Sequence, residues 1–401
     1  MVSKLPANAR TVSEDLHLRI VNNAKLLFVL LNFFKRANWI SPAVQRYGTD
    51  ENDSYVDVSY RGDGTIEWLK SPLHEDTLKT LSDYVGEVLV ASQRVVVGQA
   101  LCCSRHLEVR GLYRYGDVFQ ILPIPPEAAH APVVAADHPF VLQFRYRRST
   151  DGAINSRRRQ EKTAMLTRSL NVICRPTLVP YSRYTRFFWS AFVSGELAPR
   201  WLQEGYGYSG FVPEIDDFSE MLDLPRIKLY PSAEYYSDTF MSDNYELALP
   251  DLADRYFDKV FGLDAEEFRR FAIASTWFSQ SSALWAESSS SAFVAIVSAV
   301  EALLDKGGEV CKECNQPRHR VTMRFKAFLE QHVPNVRERF PKELDQIYGV
   351  RSDLAHGGRL LLADLEYWNF FGAWLQQQQE TIQRNAHDIV ATALRNWILG
   401  H

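Results

Sequence analysis

The chain has 401 residues, 46% of them hydrophobic and 23% charged, with 20 Gly and 18 Pro. That length is more than one core usually fills, so two domains are expected; the composition excludes collagen, low-complexity disorder and a small disulfide scaffold. A net charge of -4 leaves only local patches to hold a polyanion such as nucleic acid. The five cysteines (Cys102, Cys103, Cys174, Cys311 and Cys314) are an odd, sparse set that points to a reducing compartment.

The most apolar early stretch, Leu26 to Phe34 (LLFVLLNFF), is short and holds an Asn, whereas a membrane span needs about 20 apolar residues. It starts too far into the chain, with the wrong flanks, for a cleaved signal peptide. A buried helix from about Asp15 to Arg36 is expected, with no membrane partner and a cytoplasmic location.

Residues 50–148 read as strands. Tyr55 to Tyr60 alternates, Gly62-Asp63-Gly64 is turn chemistry, and Thr65 to Leu69 resumes the alternation, which is a hairpin signal. Further β-rich runs follow at Val88–Val97, Leu107–Tyr115, Val118–Leu122 and Phe140–Tyr146. The Pro-rich stretch Pro123 to Pro139 predicts a long surface loop. Helical composition returns over 153–172, and 181–262 is mixed and aromatic.

From Asp264 onward helical patterning takes over. Asp264 followed by Glu267 is a capping-box start, and helices are expected over Phe268–Trp285, Ser290–Leu304, Val321–His332, Pro341–His356 and Asp364–Leu399, with strand signals absent. The fold class is therefore α+β. A mixed, β-rich domain over 1–263 precedes an all-α bundle over 264–401.

Charge is spread unevenly. Residues 140–186 hold eleven Arg/Lys against Asp151 and Glu161, interleaved with Phe144, Tyr146, Tyr181, Tyr184 and Phe187. Basic side chains with aromatic neighbours suit a phosphate backbone and stacked bases. Residues 213–270 reverse the balance, with fifteen acidic residues against six basic ones, so the two segments could instead face each other or form solvated faces.

The sharpest local feature is Tyr348-Gly349-Val350-Arg351-Ser352-Asp353-Leu354-Ala355-His356-Gly357-Gly358. Pro341 before it and the two glycines after it define one short helix stopped by glycine. His356 then falls at a helix C-terminus, where the dipole favours positive charge. Five residues at ~100° each leave Arg351 and His356 roughly 140° apart around the axis. One helix does not aim both at one small target. A second copy across a two-fold axis would bring both residue types into a shared cleft.

The stretch Ser291–Leu304 (SAFVAIVSAVEALL) together with Ile347–Gly358 (IYGVRSDLAHGG) resembles the HEPN superfamily, in particular the Apea-like HEPN domains of bacterial defence proteins. The resemblance covers about residues 264–401 only. It implies a dimerising helical bundle in which paired Arg-x4-His motifs form a metal-independent endoribonuclease site acting in antiviral defence or toxin-like growth arrest. Arg351 and His356 match the motif's Arg and His. Ser352 stands at the polar position after the Arg, where Asn, Asp or His is more usual. RNA is the implied substrate, a homodimer the implied assembly, and a regulatory partner or antitoxin the implied restraint. The alternative is a non-catalytic dimerisation or ligand- or RNA-binding module.

The chemistry fits these residues. Metal-free RNA cleavage needs a proton taken from a 2′-hydroxyl or given to the leaving oxygen, which an imidazole can do, and a fixed charge on the phosphate, which a guanidinium supplies. Glu301, the acid in an otherwise apolar helix, either orients Arg351 or His356 or lies on that helix's wet edge. Asp353 either tunes the site or pairs on the surface.

Cys311-x-x-Cys314, followed by His319, is half of a structural zinc site whose fourth ligand would come from Cys102, Cys103, His332 or a partner subunit. An unliganded turn and a redox pair are the other readings. The flanking segment 306–326 holds six Lys/Arg against two Glu and is a further candidate to meet RNA. Gly205 to Gly210 lacks the strand and helix of a dinucleotide loop and reads as a flexible aromatic loop. His106, His130 and His138 read as surface or loop residues. No Walker-type lysine loop is present, so nothing in the sequence supports ATP use.

Overall fold

The structure is a computed structural model. It describes residues 10–11, 23–62, 66–89, 94–130, 136–181, 186–189, 192–193, 196–197, 201–204, 206–220, 223–237, 245–285, 287–304, 309–310, 317–318, 321–356, 360–365 and 373–401. The chain is α+β, with antiparallel sheets in its N-terminal part and helices in its C-terminal part. It divides into two compact units, residues 1–98 with 145–161, and residues 99–144 with 162–401. The helices after Asp264 thus share the second unit with much of what precedes them.

The first unit is built on a five-stranded sheet. Its strands are β1 (Arg10–Thr11), β2 (Ala37–Ser41), β3 (Val44–Thr49), β4 (Ser54–Tyr60) and β5 (Ile66–Ser71), in the order β1-β5-β4-β3-β2. The expected hairpin is β4 with β5, paired antiparallel from Asp57↔Lys70 to Tyr60↔Ile66. Helices α1 (Asn23–Phe34) and α2 (Glu75–Leu89) bury Leu26, Val29, Leu30, Leu78, Leu81 and Val85 with Val56, Val58 and Leu69 of the sheet. Helix α2 corrects the all-strand reading of 50–148. Leu78, Leu81, Val85 and Val88 recur at helical spacing, and Glu75 and Asp76 in the first turn complement the dipole. The β-branched run through Val97 masked that period. Residues 15–22 of the longer expected first helix lie outside the described residues.

The second unit contains most of a larger sheet, ordered β10-β6-β9-β8-β7. Its strands are β6 (Val95–Arg105), β7 (Tyr113–Tyr115), β8 (Phe119–Pro123), β9 (Asp137–Arg147) and β10 (Leu178–Pro180), and a sixth, Glu214–Ile215, pairs with β6 outside that order. Strand β9 is buried on both faces, which places His138 in the interior rather than on the surface. Tyr206 corrects the flexible-loop expectation: it is buried, and its hydroxyl donates to Ala129 O at 2.7 Å.

The remaining helices are α3 (Gly152–Ile173), α4 (Ser232–Tyr235), α5 (Ala253–Gly262), α6 (Ala265–Leu284), α7 (Ser289–Glu301), α8 (Val321–His332), α9 (Val336–Arg339), α10 (Glu343–Ala355), α11 (Leu362–Leu365) and α12 (Ala373–Gly400). Asp264 caps α6 with the full capping box that the sequence predicts. Helix α7 is the bundle's centre, with Phe293, Ile296, Val297 and Val300 fully buried. The long last helix starts at Ala373 rather than Asp364, which instead belongs to the separate turn α11. One short ladder, Glu309↔Arg318 and Val310↔Pro317, corrects the expectation that the C-terminal segment is free of strands. Among the described residues no helix is long and apolar enough to cross a membrane.

Candidate functional site

Two helices place the residues singled out in the sequence. Helix α10 turns Leu344 and Ile347 into the bundle core. Arg351 follows Ile347 by four positions and so shares that inward stripe. It meets the C-terminal end of α7, where Glu301 follows the buried Val297 and Val300. Arg351 Nη2 donates to Glu301 Oε2 at 2.9 Å, with the side chains 24% and 21% exposed. Among the described residues the pair is not fully satisfied, because Arg351 Nε and Glu301 Oε1 are buried without a hydrogen-bond partner there. The guanidinium also lies 5.9 Å from the centre of the Tyr348 ring.

His356 is the C-cap of α10, its backbone N–H donating to Ser352 O at 3.1 Å. Its side chain is exposed and has no side-chain partner among the described residues. The structure therefore brings Arg351 and Glu301 together and leaves His356 about one turn further along, on a different side of the helix. Ser352 is half-buried and Asp353 exposed.

Glu301 also opens onto a cleft of about 570 Å3 between α6 and the end of α7. Arg269, Arg270, Ile273 and Trp277 of α6 line it, and Ile273 and Trp277 are each 40% exposed. Arg270 donates to Leu303 O, and Arg269 forms a two-pronged pair with Glu266 at 2.7 and 2.9 Å. These α6 residues were not foreseen. The adjacent Arg269-Arg270 and the exposed apolar pair four residues apart were the available signal, and the helix's ordinary amphipathic pattern hid it.

The proposed zinc ligands Cys311, Cys314 and His319 lie outside the described residues. Among the described residues no group of three or more His, Cys, Asp or Glu is placed to hold a metal. Cys102 and Cys103 are buried free thiols on β6, and burial pushes Cys103 up to about 12.

The basic run of 140–186 divides between the two units, Arg183 lies outside the described residues, and several of the others make local contacts. Arg157 pairs with Glu161 at 3.0 Å, Arg159 donates to the Tyr146 hydroxyl, and Lys162 is held below its ordinary pKa by burial.

No protein-family model matches the chain, and no curated protein and no solved structure is detectably similar to it.

Proposed function

We propose that the helical segment after Asp264 is a HEPN-type, metal-independent endoribonuclease that works in the cytoplasm as a homodimer. The observation that carries this reading is the Arg351–Glu301 pair. A partly desolvated ion pair that leaves a buried nitrogen and a buried oxygen unpartnered among the described residues is a poor way to stabilise a bundle, and that supports a functional reason for keeping it. In this reading Glu301 is a positioning residue that holds the guanidinium where a phosphate would approach.

The reaction is a transesterification. The 2′-hydroxyl attacks the adjacent phosphorus while the bond to the 5′-oxygen breaks, leaving a 2′,3′-cyclic phosphate and a 5′-hydroxyl. His356 moves the proton, taking it from the nucleophile or giving it to the leaving oxygen, and Arg351 neutralises the charge that builds on the phosphorane. DNA lacks the nucleophile and is spared. The angular separation of Arg351 and His356 on α10 favours a composite site, each copy of the chain contributing one of the two residues. A role in antiviral defence or growth arrest, with a partner or antitoxin restraining the enzyme, rests on the resemblance alone.

A second reading has its own observation. Arg351 is engaged by Glu301 rather than free, as expected of a dimerisation or RNA-binding module without catalysis.

Cleavage of end-labelled RNA in EDTA by wild type, Arg351→Ala and His356→Ala separates the two. The nuclease reading expects fragments ending in cyclic phosphate, reduced roughly 10²–10⁴-fold in the His356 variant and about 10²–10³-fold in the Arg351 variant. Undiminished cleavage by both folded variants would overturn the assignment, and RNA bound but uncut by the wild-type dimer would favour the module.

A further inference from the structure

Away from Arg351, Glu301 and His356, two helices of the second unit bring a serine and a histidine together. Ser282, in the last turn of α6, is half-buried, and its Oγ lies 3.1 Å from Nε2 of His387 on α12. A helical serine ordinarily gives its proton to a carbonyl one turn back. For Ser282 that contact, to Phe278 O, is long at 3.4 Å, and the shorter one is the imidazole 105 positions away.

The imidazole is held by its neighbours. It packs on the Phe278 ring with centroids 4.6 Å apart and planes at 32°, and it meets the Trp285 ring edge-on at 5.8 Å. Asp388 Oδ1 lies 3.9 Å from Nδ1, beyond hydrogen-bond distance, so aromatic packing rather than a carboxylate orients the ring. A hydroxyl within hydrogen-bond reach of a base whose own orientation is fixed is the arrangement that covalent catalysis by serine requires.

His387, Phe278 and Trp285 line a cavity of about 940 Å3, within the usual range for small-molecule sites. Its charge is one-sided, with Arg175, Arg339, Arg384 and Arg395 against a single carboxylate, Asp388. Arg384 precedes His387 by three positions, so the two are neighbours on the surface of α12. It is exposed and has no carboxylate partner among the described residues. Such a wall suits a substrate that carries negative charge, and its field favours the oxyanion formed when a hydroxyl adds to a carbonyl.

We propose that Ser282 and His387 form a serine esterase site for carboxylic esters that bear an anionic group. Ser282 Oγ adds to the ester carbonyl as its proton passes to His387 Nε2. The bond from the carbonyl carbon to the alcohol oxygen then breaks, the alcohol leaves with that proton, and an acyl-serine remains. Water attacks the acyl carbon and gives a proton to His387. The Ser282 oxygen departs and takes that proton back, and the carboxylic acid is released. Arg384 holds the substrate's anionic group. The proposal shares no residue with the nuclease site and does not depend on it.

Hydrolysis of para-nitrophenyl hemisuccinate and of the neutral para-nitrophenyl butyrate by the full chain tests it, together with mass mapping after diisopropyl fluorophosphate. The hemisuccinate should be cleaved faster by at least about tenfold in kcat/KM, the worth of one charge-assisted contact. Ser282→Ala should abolish turnover, and His387→Gln should lower kcat roughly 10²–10⁴-fold. Arg384→Glu, at an exposed position, should melt like wild type and lose the preference for the anionic ester. The fluorophosphate label should fall on Ser282, a readout on the wild-type chain that no variant's folding can obscure. Absence of turnover and label, turnover surviving in folded Ser282→Ala, or a label on another residue would overturn the proposal. So would butyrate cleaved as fast as the hemisuccinate.

Discussion

Two ion pairs illustrate how differently a charge can be held. Asp57 on β4 is fully buried and faces Arg46 on β3 in register, with both guanidinium bonds at 2.7 Å. The Tyr55 ring lies 3.6 Å from the guanidinium, and Arg46 also reaches Asp50. That pair is saturated, and its hydrogen bonds to Asp57 raise the Arg46 pKa despite burial. Asp57→Ala leaves the half-buried Arg46 only the exposed Asp50 as a carboxylate partner among the described residues, so urea denaturation should show a loss of about 3 kcal/mol. Replacing both partners with apolar residues should recover most of it; equal losses in the single and double variants would contradict this account. The Arg351–Glu301 pair, by contrast, keeps two buried atoms unpartnered among the described residues. Histidines carry a separate prediction. Burial lowers the pKa of His106, partly offset by Asp137, and burial together with His401 lowers that of His332. The unfolded chain then binds more protons just below the ordinary imidazole value of about 6.5, so stability is full above that pH and declines as pH falls toward the folded values. Denaturation midpoints at pH 8 and pH 5.5 should differ in that sense, and by less in His332→Gln.

Helix ends decide much of the bundle's assembly. The start of α6 is local, because Asp264 and Glu267 cap each other's neighbours within four residues. The start of α7 is tertiary. Ser288 is its N-cap, but Asp364 on α11 accepts from the Ser289 and Ser290 N–H groups at 2.7 Å each and from the Ser288 hydroxyl at 3.2 Å. Ser290 Oγ in turn accepts from the Leu361 N–H at 2.8 Å, so the two segments satisfy each other. Burial acts to raise the Asp364 pKa, yet the hydrogen bonds from Ser290, Ser289 and Ser288 outweigh it and leave the carboxyl below its ordinary 3.8. The stabilisation is therefore present above that pH and disappears as pH falls through the folded value. Asp364→Asn should cost about 1–2 kcal/mol, measured by urea unfolding at pH 7, and the cost should be smaller at pH 3. An equal cost at both pH values would mean that the carboxylate's charge is not what holds the helix start.

At the scale of the whole molecule, chain order and compactness do not coincide. The sequence changes character at Asp264, yet the second compact unit gathers 99–144 and 162–401, because β6, β9 and α3 each run from one unit into the other. The parts legible in the sequence are those set by short-range physics. These are the β4–β5 hairpin from alternation and turn residues, the α6 start from its capping box, the helical bodies of α6, α7, α8 and α10 from 3.6-residue periodicity, and the exit of α10 at His356. The angular separation of Arg351 and His356 also followed from helix geometry alone. Helix α2 was hidden because its apolar positions border a β-branched run, and the buried His138 because a strand covered on both faces loses its alternation. Tertiary structure alone decided which distant residues meet. Glu301 lies 50 positions from Arg351, and the two meet because α7 ends beside α10. Local propensity and periodicity act over a few residues, so they fix elements and their faces. Which faces come together, and hence which charges share a cleft or lack a partner, depends on how the whole core packs.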